Sequence, residues 1–458
     1  MSGFDFADFY RRRLKRFPAI RAAKEMVWTA RWALRWRVVY PVLRTAKRFA
    51  RSVLPAPALR FYHRATGGGV GALLRRWREP PRLLVGQAVS APYGGRIGIQ
   101  EIFPACLVQV EPPPAFPPSS RNVVGAPPRS YVFPRVVLSE WSDVEVVGRS
   151  NLLRANNALI HHDLFRPSHD YTSEELHGRL HIDPYNGRAW CPRQAAAREF
   201  ERAALFTDAI APNYAHWLTE VVPRLHAYGL AGAGAKSVVL LDAGLHPNLL
   251  HSARLMLPAD AAIAELAVGE VVRVHELQAV SPTGYIPFEP RPGVRHGHSH
   301  GVFSAPALLS MREHLAQRLG QAPAGLPRRI LLRRNSSYRA MRNEEELQER
   351  LAPFGFVPVY PERLSFAEQF HLFSGAELVV GATGAAMANL LFCPPQARIV
   401  ICLSAHPDHS FGYWQNIAAA VGNRVSYVLG EIAGQRGAGV HADFRVEPND
   451  VMIAAGLR

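Results

Sequence analysis

Apolar runs of strand length alternate with capped helical stretches through the second half of this chain. Ile330, Leu331 and Leu332 form a short run framed by arginines from Arg328 to Arg334, and Asn343 with Glu346 caps a helix expected to reach about Pro353. Phe356 to Tyr360 reads as the next strand. Ser365 and Glu368 have the spacing of a capping box, with Phe366, Phe370 and Phe373 following at helical intervals. Glu377 to Val380 is a buried strand that turns directly into a Gly/Ala-rich helix, and Ile399 to Leu403 is another strand. Strands alternating with helices of about ten residues predict a parallel sheet covered on both faces, whose ligands sit beyond the carboxyl ends of the strands. Arg334 and Thr383 fall at two such ends.

The turn at Gly381 to Phe392 is nearly free of large side chains at its start. The first N–H groups of a helix lack intrahelical partners and lie at its positive end, so small residues there let an anion approach the backbone. Such a turn alone is a weak signal, because many are Gly-rich for packing. Further upstream, His216 and Glu220 stand four apart on one helical face. A carboxylate beside an imidazole raises its basicity and gives a proton acceptor near neutral pH, although pairs at this spacing commonly only support a helix. Pro223 cannot donate to the carbonyl of Thr219 and is expected to bend the chain there.

Four segments recur in a familiar order: Asn213 to Leu225, Arg334 to Glu344, Leu364 to Gln369, and Gly381 to Phe392. In this order they resemble the family 61 glycosyltransferases, from about residue 205 to Asp450, including Tyr413-Trp414 and the segment starting at Asp443. The resemblance implies a GT-B architecture, an α/β fold of two Rossmann-like domains facing a cleft. It also implies inverting transfer of a sugar from a nucleotide-sugar donor, without a bound metal or other cofactor. No Asp-x-Asp pair of the metal-holding kind occurs in the sequence. The family usually has His where Thr383 stands, Gly where Ala386 stands, and Glu at the end of the strand that here reads Ile399 to Cys402. Those departures motivate the alternative reading, a catalytically silent nucleotide-sugar or glycan-binding scaffold.

On this reading Glu220 is the base and His216 its partner or a phosphate contact, with the reverse assignment also open. Arg334, Arg339 and Arg342, with Thr383, Gly384, Ala385 and Asn389, are the expected donor contacts, since guanidinium groups grip phosphate oxygens and replace a cation. Asn343 reads as a helix cap. Asn213, Trp217 and His298 are the expected acceptor contacts, Trp217 as a stacking platform or a core aromatic. His296, His298 and His300 alternate, and His161, His162, Asp163, His169 and Asp170 cluster. Neither group shows the convergence a metal needs, and a rim hydrogen bond or an ordinary loop role fits them better.

Composition and charge set the remaining expectations. A length of 458 residues with 48% apolar content suits two or three domains with ample cores. Four cysteines without Cys-x-x-Cys spacing fit a reducing compartment. Residues 1–80 hold 19 Lys and Arg against four Asp and Glu, whereas the remainder holds 34 against 33, so nearly all of the +16 net charge sits in an N-terminal arm. Trp28, Trp32 and Trp36 form a helical stripe within it. Interfacial tryptophans among arginines fit attachment to an anionic membrane surface better than nucleic-acid binding, and no stretch is apolar enough to span a bilayer. With no signal peptide apparent, a peripheral position on the cytosolic membrane face is expected, with a lipid-linked surface or capsular glycan as acceptor. The expected divisions are the arm at 1–80, an acceptor region at 81–304 containing the strand Ser237 to Asp242, a donor domain at 305–435, and a tail at 436–458; the family resemblance implies that the part after Asn449 packs back on the first domain. The Pro-rich stretch from Glu111 to Pro128 is expected to be a stiff extended connection. Oligomeric state is not legible.

Overall fold

A computed structural model of the chain describes residues 82–86 and 96–457, except 126–128, 156–157, 177–179, 185, 192–193, 233–236, 288, 292–300, 336–338 and 434–438. The basic arm and the His296, His298 and His300 alternation lie outside the described residues.

The described residues form a mixed α/β structure with two large sheets. The first holds eleven strands, and four parallel strands form one end of it: Arg198–Leu205 lies between Val238–Asp242 and Val271–Val280, with Ile263–Leu266 at the edge beyond Val238–Asp242. Val136–Val147 then pairs antiparallel with Val271–Val280 and carries the sheet into the upstream β-rich segment. The parallel runs are rich in Val, Leu and Ala because both of their faces are buried, Ala204, Val239 and Leu241 in one core cluster and Ala203, Leu205 and Leu240 in another.

The second sheet contains the four strands expected from the apolar runs, with modest boundary shifts, Arg329–Leu332, Val357–Val359, Leu378–Ala382 and Arg398–Ser404, and a fifth beyond those expectations, Arg424–Ile432. All five are parallel, and their spatial order is second, first, third, fourth, fifth. This is a doubly wound arrangement, and its strand order reverses between Arg329–Leu332 and Leu378–Ala382, where such sheets open a ligand crevice. The Ser365–Glu368 capping box forms with both of its hydrogen bonds and starts the helix Phe366–Ser374.

Three expectations need correction. The Pro-rich stretch does more than connect, because Ala115–Phe116 pairs with Tyr427 and Val428 as a further strand of the second sheet, and Tyr427 N–H donates to the Pro114 carbonyl at 2.8 Å. The tail helix Pro448–Ala454 packs on the second sheet, where Val451, Ala455 and Leu457 share a core with Leu331, Leu378 and Val400. It does not return to the first sheet. Asn343 stands at its helix N-terminus, but its side chain makes no cap; it accepts from Val446 N–H and donates to the Val446 carbonyl, tying the closing segment to the helix.

A continuous apolar core joins the two sheets. The helix Ala305–Leu319 runs through it, started by the Ser304 hydroxyl and ended at Gly320, and one buried cluster extends from Ala204 and Leu225 through Leu308 and Met311 to Ile330 and Ile401.

Gly381 pairs with Leu332 so closely that a Cβ there would stand 2.7 Å from both the Leu332 Cβ and its carbonyl oxygen. Gly381→Ala is therefore expected to lower stability by about 1–3 kcal/mol in denaturant unfolding. Gly375→Ala, which meets nothing within 4 Å, should shift it by less than about 0.5 kcal/mol. Equal effects would contradict the close strand approach.

Candidate active site

His216 and Glu220 project from an irregular helix. Asn213 caps its start, its carbonyl oxygen accepting from Ala215 N–H at 3.0 Å, and the turn Trp217–Val221 then widens into a π-helix before Val222–Leu230 resumes α-geometry. Pro223 explains the widening, because it removes a donor from the ladder. The Thr283 hydroxyl supplies a substitute partner for the Thr219 carbonyl at 3.4 Å. The imidazole Nδ1 and the Glu220 carboxylate stand 2.6 Å apart, with both side chains mostly buried.

The surroundings of this pair were not singled out from sequence. Arg224, one turn on, is buried; its Nε donates to the Glu220 carbonyl at 2.6 Å and its terminal nitrogen lies 3.4 Å from Asp208. Asp208 follows the strand Arg198–Leu205, and its backbone N–H donates to Asp242 at the end of the neighbouring parallel strand. Burial alone would lower the His216 pKa, but the Glu220 carboxylate, through its charge and hydrogen bond, and Asp208 together raise it. Burial pushes Glu220 upward against the opposing pull of His216. Both groups are thus shifted upward, the imidazole toward its charged form and the carboxyl toward its neutral one, and the pair can take up or release a proton between them.

At the second sheet, Arg334 follows the strand Arg329–Leu332 and its guanidinium donates to the Thr383 carbonyl at 2.7 Å, directly across the reversal of strand order. It lies over Gly384, where a Cβ would meet it at 2.7 Å. Arg333 points the other way, to Glu344, Glu345 and Gln348. Thr383 is buried, and its hydroxyl accepts from the Trp414 indole at 3.0 Å, which leaves its own O–H free to donate. Ala385–Phe392 is a 3₁₀-helix rather than an α-helix, and Ala385 stands half-buried at its start.

Arg339 sits at φ +55°, its backbone N–H donating to the His441 carbonyl, and its charge helps hold His409 and His441 below their usual range after burial has done most of the lowering. Arg342 is paired with buried Asp443 at 2.5 Å, which fastens the closing segment. Asn389 is fully buried; it accepts from the Tyr214 hydroxyl at 2.8 Å and donates to Gln369 at 2.9 Å. It therefore bridges the His216 helix to the second sheet and presents no free atom to a donor.

Trp217 is likewise fully buried, its indole donating to Ser252 at 2.8 Å, so the core alternative describes its ring and the stacking platform does not. Asn213 is exposed and occupied as a cap, and His298 lies outside the described residues. His169 contacts Asp170, while His161 and His162 are buried beside Glu220's cavity. Among the described residues no three His, Cys, Asp or Glu are placed to hold a metal ion.

The two sheets' chemistry is linked by adjacent aromatics. The Tyr413 ring stacks beside His216 with centroids 6.2 Å apart, Tyr413 lies against Trp414 at 4.4 Å, and Trp414 bonds Thr383, on which Arg334 is anchored. Residues 214–400 match the family model described as Glycosyltransferase 61. The chain carries a family 61 glycosyltransferase domain. The match covers the His216/Glu220 helix, Arg334, Arg339 and the Gly381 turn, and it ends before Tyr413 and the Asp443 segment. No curated protein matches the chain. Arg224 lies inside the matched stretch, and a charged residue within an otherwise apolar helix was the signal available for it in sequence.

Because burial alone would lower His216 and Glu220 reverses the effect, Glu220→Gln is expected to move the imidazole titration from above about 6.5 to below it. NMR titration, with the resonance assigned by its loss in His216→Asn, measures this. The wild-type pair should stabilise the fold fully below about pH 6.5 and lose that contribution as pH rises through the raised value. An unchanged midpoint in Glu220→Gln would break the coupling described.

Proposed function

We propose that this domain is an inverting, metal-independent glycosyltransferase of GT-B architecture. The donor is a nucleotide sugar at the strand-order reversal of the second sheet, and the acceptor is a glycan hydroxyl presented to Glu220. The observation that supports this reading is the run of neighbouring side chains from Glu220 through His216, Tyr413, Trp414 and Thr383 to Arg334, which connects the proposed proton acceptor with the proposed phosphate-binding crevice. Transfer needs little more from the protein: a base for the acceptor proton and positive charge for the departing nucleoside diphosphate.

In the proposed reaction the acceptor oxygen attacks the anomeric carbon from the face opposite the diphosphate. Its proton passes to the Glu220 carboxylate, and the C–O bond to the diphosphate breaks with both electrons leaving on the phosphate oxygen. Arg334 and Arg339 stabilise that charge, with the Thr383 O–H and the backbone from Gly384 and Ala385 as further donors. Arg342 supports them through Asp443. The basic arm, residues 1–80, is proposed to hold the enzyme on the anionic cytosolic face of a membrane, where lipid-linked glycans for the cell surface are extended. Among the described residues no helix is long and apolar enough to cross a membrane.

Titrating the purified protein with a panel of nucleotide sugars in EDTA by calorimetry, while following donor hydrolysis, tests the reading. One donor should bind and hydrolyse slowly, and Arg339→Ala should weaken it by about tenfold or more, as expected for loss of a charged phosphate contact. Binding without hydrolysis or transfer would favour the scaffold alternative. Absence of binding to every donor, with or without added Mg²⁺ or Mn²⁺, would contradict the proposed donor site.

A further inference from the structure

The His216 helix forms one wall of a cavity that the proposed chemistry has not yet used. Asn151, His162, Glu174, Asp208 and Tyr285 line it together with Glu220. It is a partly open cavity of about 400 Å³ with the part open to solvent included, which suits one sugar unit rather than a whole oligosaccharide. Two of its wall residues are more than nine-tenths buried and yet carry an atom with no hydrogen-bond partner: Oε1 of Glu174 and Nδ1 of His162. Leaving such an atom unsatisfied costs about 1–3 kcal/mol, so each calls for a partner that the surrounding protein does not supply.

We infer that this cavity is the acceptor subsite and that it takes a non-anionic, hydroxyl-rich sugar unit whose hydroxyls hydrogen-bond to Glu174 Oε1 and His162 Nδ1. The inference rests on the reading of Glu220 as the base on the acceptor side. A carboxylate oxygen accepts from a hydroxyl, and a neutral imidazole nitrogen either accepts from one or donates to it, so both free atoms match sugar hydroxyls. Burial, with the neighbouring His161 and Arg224, holds His162 well below its usual pKa, so it brings no positive charge.

The same wall argues against an anionic sugar. A uronate would meet the carboxylates of Glu174, Asp208 and Glu220, with Asp242 behind Asp208. The cations beside these carboxylates are engaged, Arg224 with the Glu220 carbonyl and Asp208, His216 with Glu220 and Arg149 with Asp242, and Arg291, over Tyr171, is paired with Glu175. An unpaired negative charge placed here would be desolvated beside like charges, which strongly disfavours binding. Asn151 already donates to Asp208 at 3.4 Å, a long bond that a sugar hydroxyl could replace on either partner.

Saturation-transfer NMR on the full-length protein tests this, using methyl glycosides of neutral hexoses and pentoses as probes beside the methyl glycosides of the matching uronic acids. At least one neutral glycoside should bind where its uronate counterpart does not. Glu174→Gln and His162→Asn should each weaken that binding by about tenfold, the loss of one hydrogen bond to a charged or buried partner, with thermal midpoints showing that each variant is folded. The uronate comparison is made on unmodified protein, so it decides the matter even if a variant fails to fold. Equal binding of a uronate, no binding of any glycoside, or binding that survives both substitutions would overturn the inference. Glycoside binding with the expected charge preference, in a protein that binds no nucleotide sugar, would support the subsite while overturning the transferase reading.

Discussion

A guanidinium buried beneath the Glu220 turn is the constraint on which the site depends. Arg224 is almost wholly buried, so it finds its partners inside the protein, and it takes the Glu220 carbonyl and the Asp208 carboxylate. The first partner holds the widened turn that Pro223 creates; the second fixes the loop after a parallel strand of the first sheet. Removing the Asp208 carboxylate would take the counter-charge from a buried guanidinium, a change that typically costs about 3–5 kcal/mol. Such a network is a poor source of net stability but a good source of geometry, because only one arrangement of the turn and loop satisfies it.

From that anchor the remaining parts follow in sequence. Glu220 is held against His216, His216 lies beside Tyr413, and the neighbouring Trp414 fixes Thr383 at the strand-order reversal of the second sheet. Asn389 makes a second tie, hydrogen-bonding Tyr214 on one side and Gln369 on the other from a fully buried position. Both ties join segments far apart in the chain. The family 61 match includes most of them, from Tyr214 to the strand Arg398–Ser404. Arg224, Asn389, Arg333 and Trp217 are engaged in holding these segments together, and Glu220, His216 and Arg334 are the side chains to which the proposed chemistry is assigned.

Much of the second sheet was legible in sequence because its signals are local. The Ser365–Glu368 box closes within one turn, and runs such as Ile399 to Leu403 need only be buried on both faces to be strands. The destinations of individual side chains were less legible, since these depend on what another part of the chain supplies. Trp217 entered the core because Ser252 offers its indole an acceptor, and Asn343 left its capping role because Val446 offers both a donor and an acceptor. The tail joined the second sheet because its apolar face meets Leu378 and Val400 there. Asp208, Glu174 and His162 belong to separate segments with no shared spacing, so only folding brings them to one cavity.

The central claim is that Glu220 takes a proton from an acceptor hydroxyl as that oxygen displaces the diphosphate from the opposite face of the donor sugar. The most direct measurement is the anomeric configuration of the product, read by proton NMR from a transfer reaction run in EDTA with the donor and acceptor of known configuration. The account expects a product inverted relative to the donor, and its disappearance in Glu220→Gln. A product that retains the donor's configuration, or turnover that survives the loss of the Glu220 carboxylate, would contradict it.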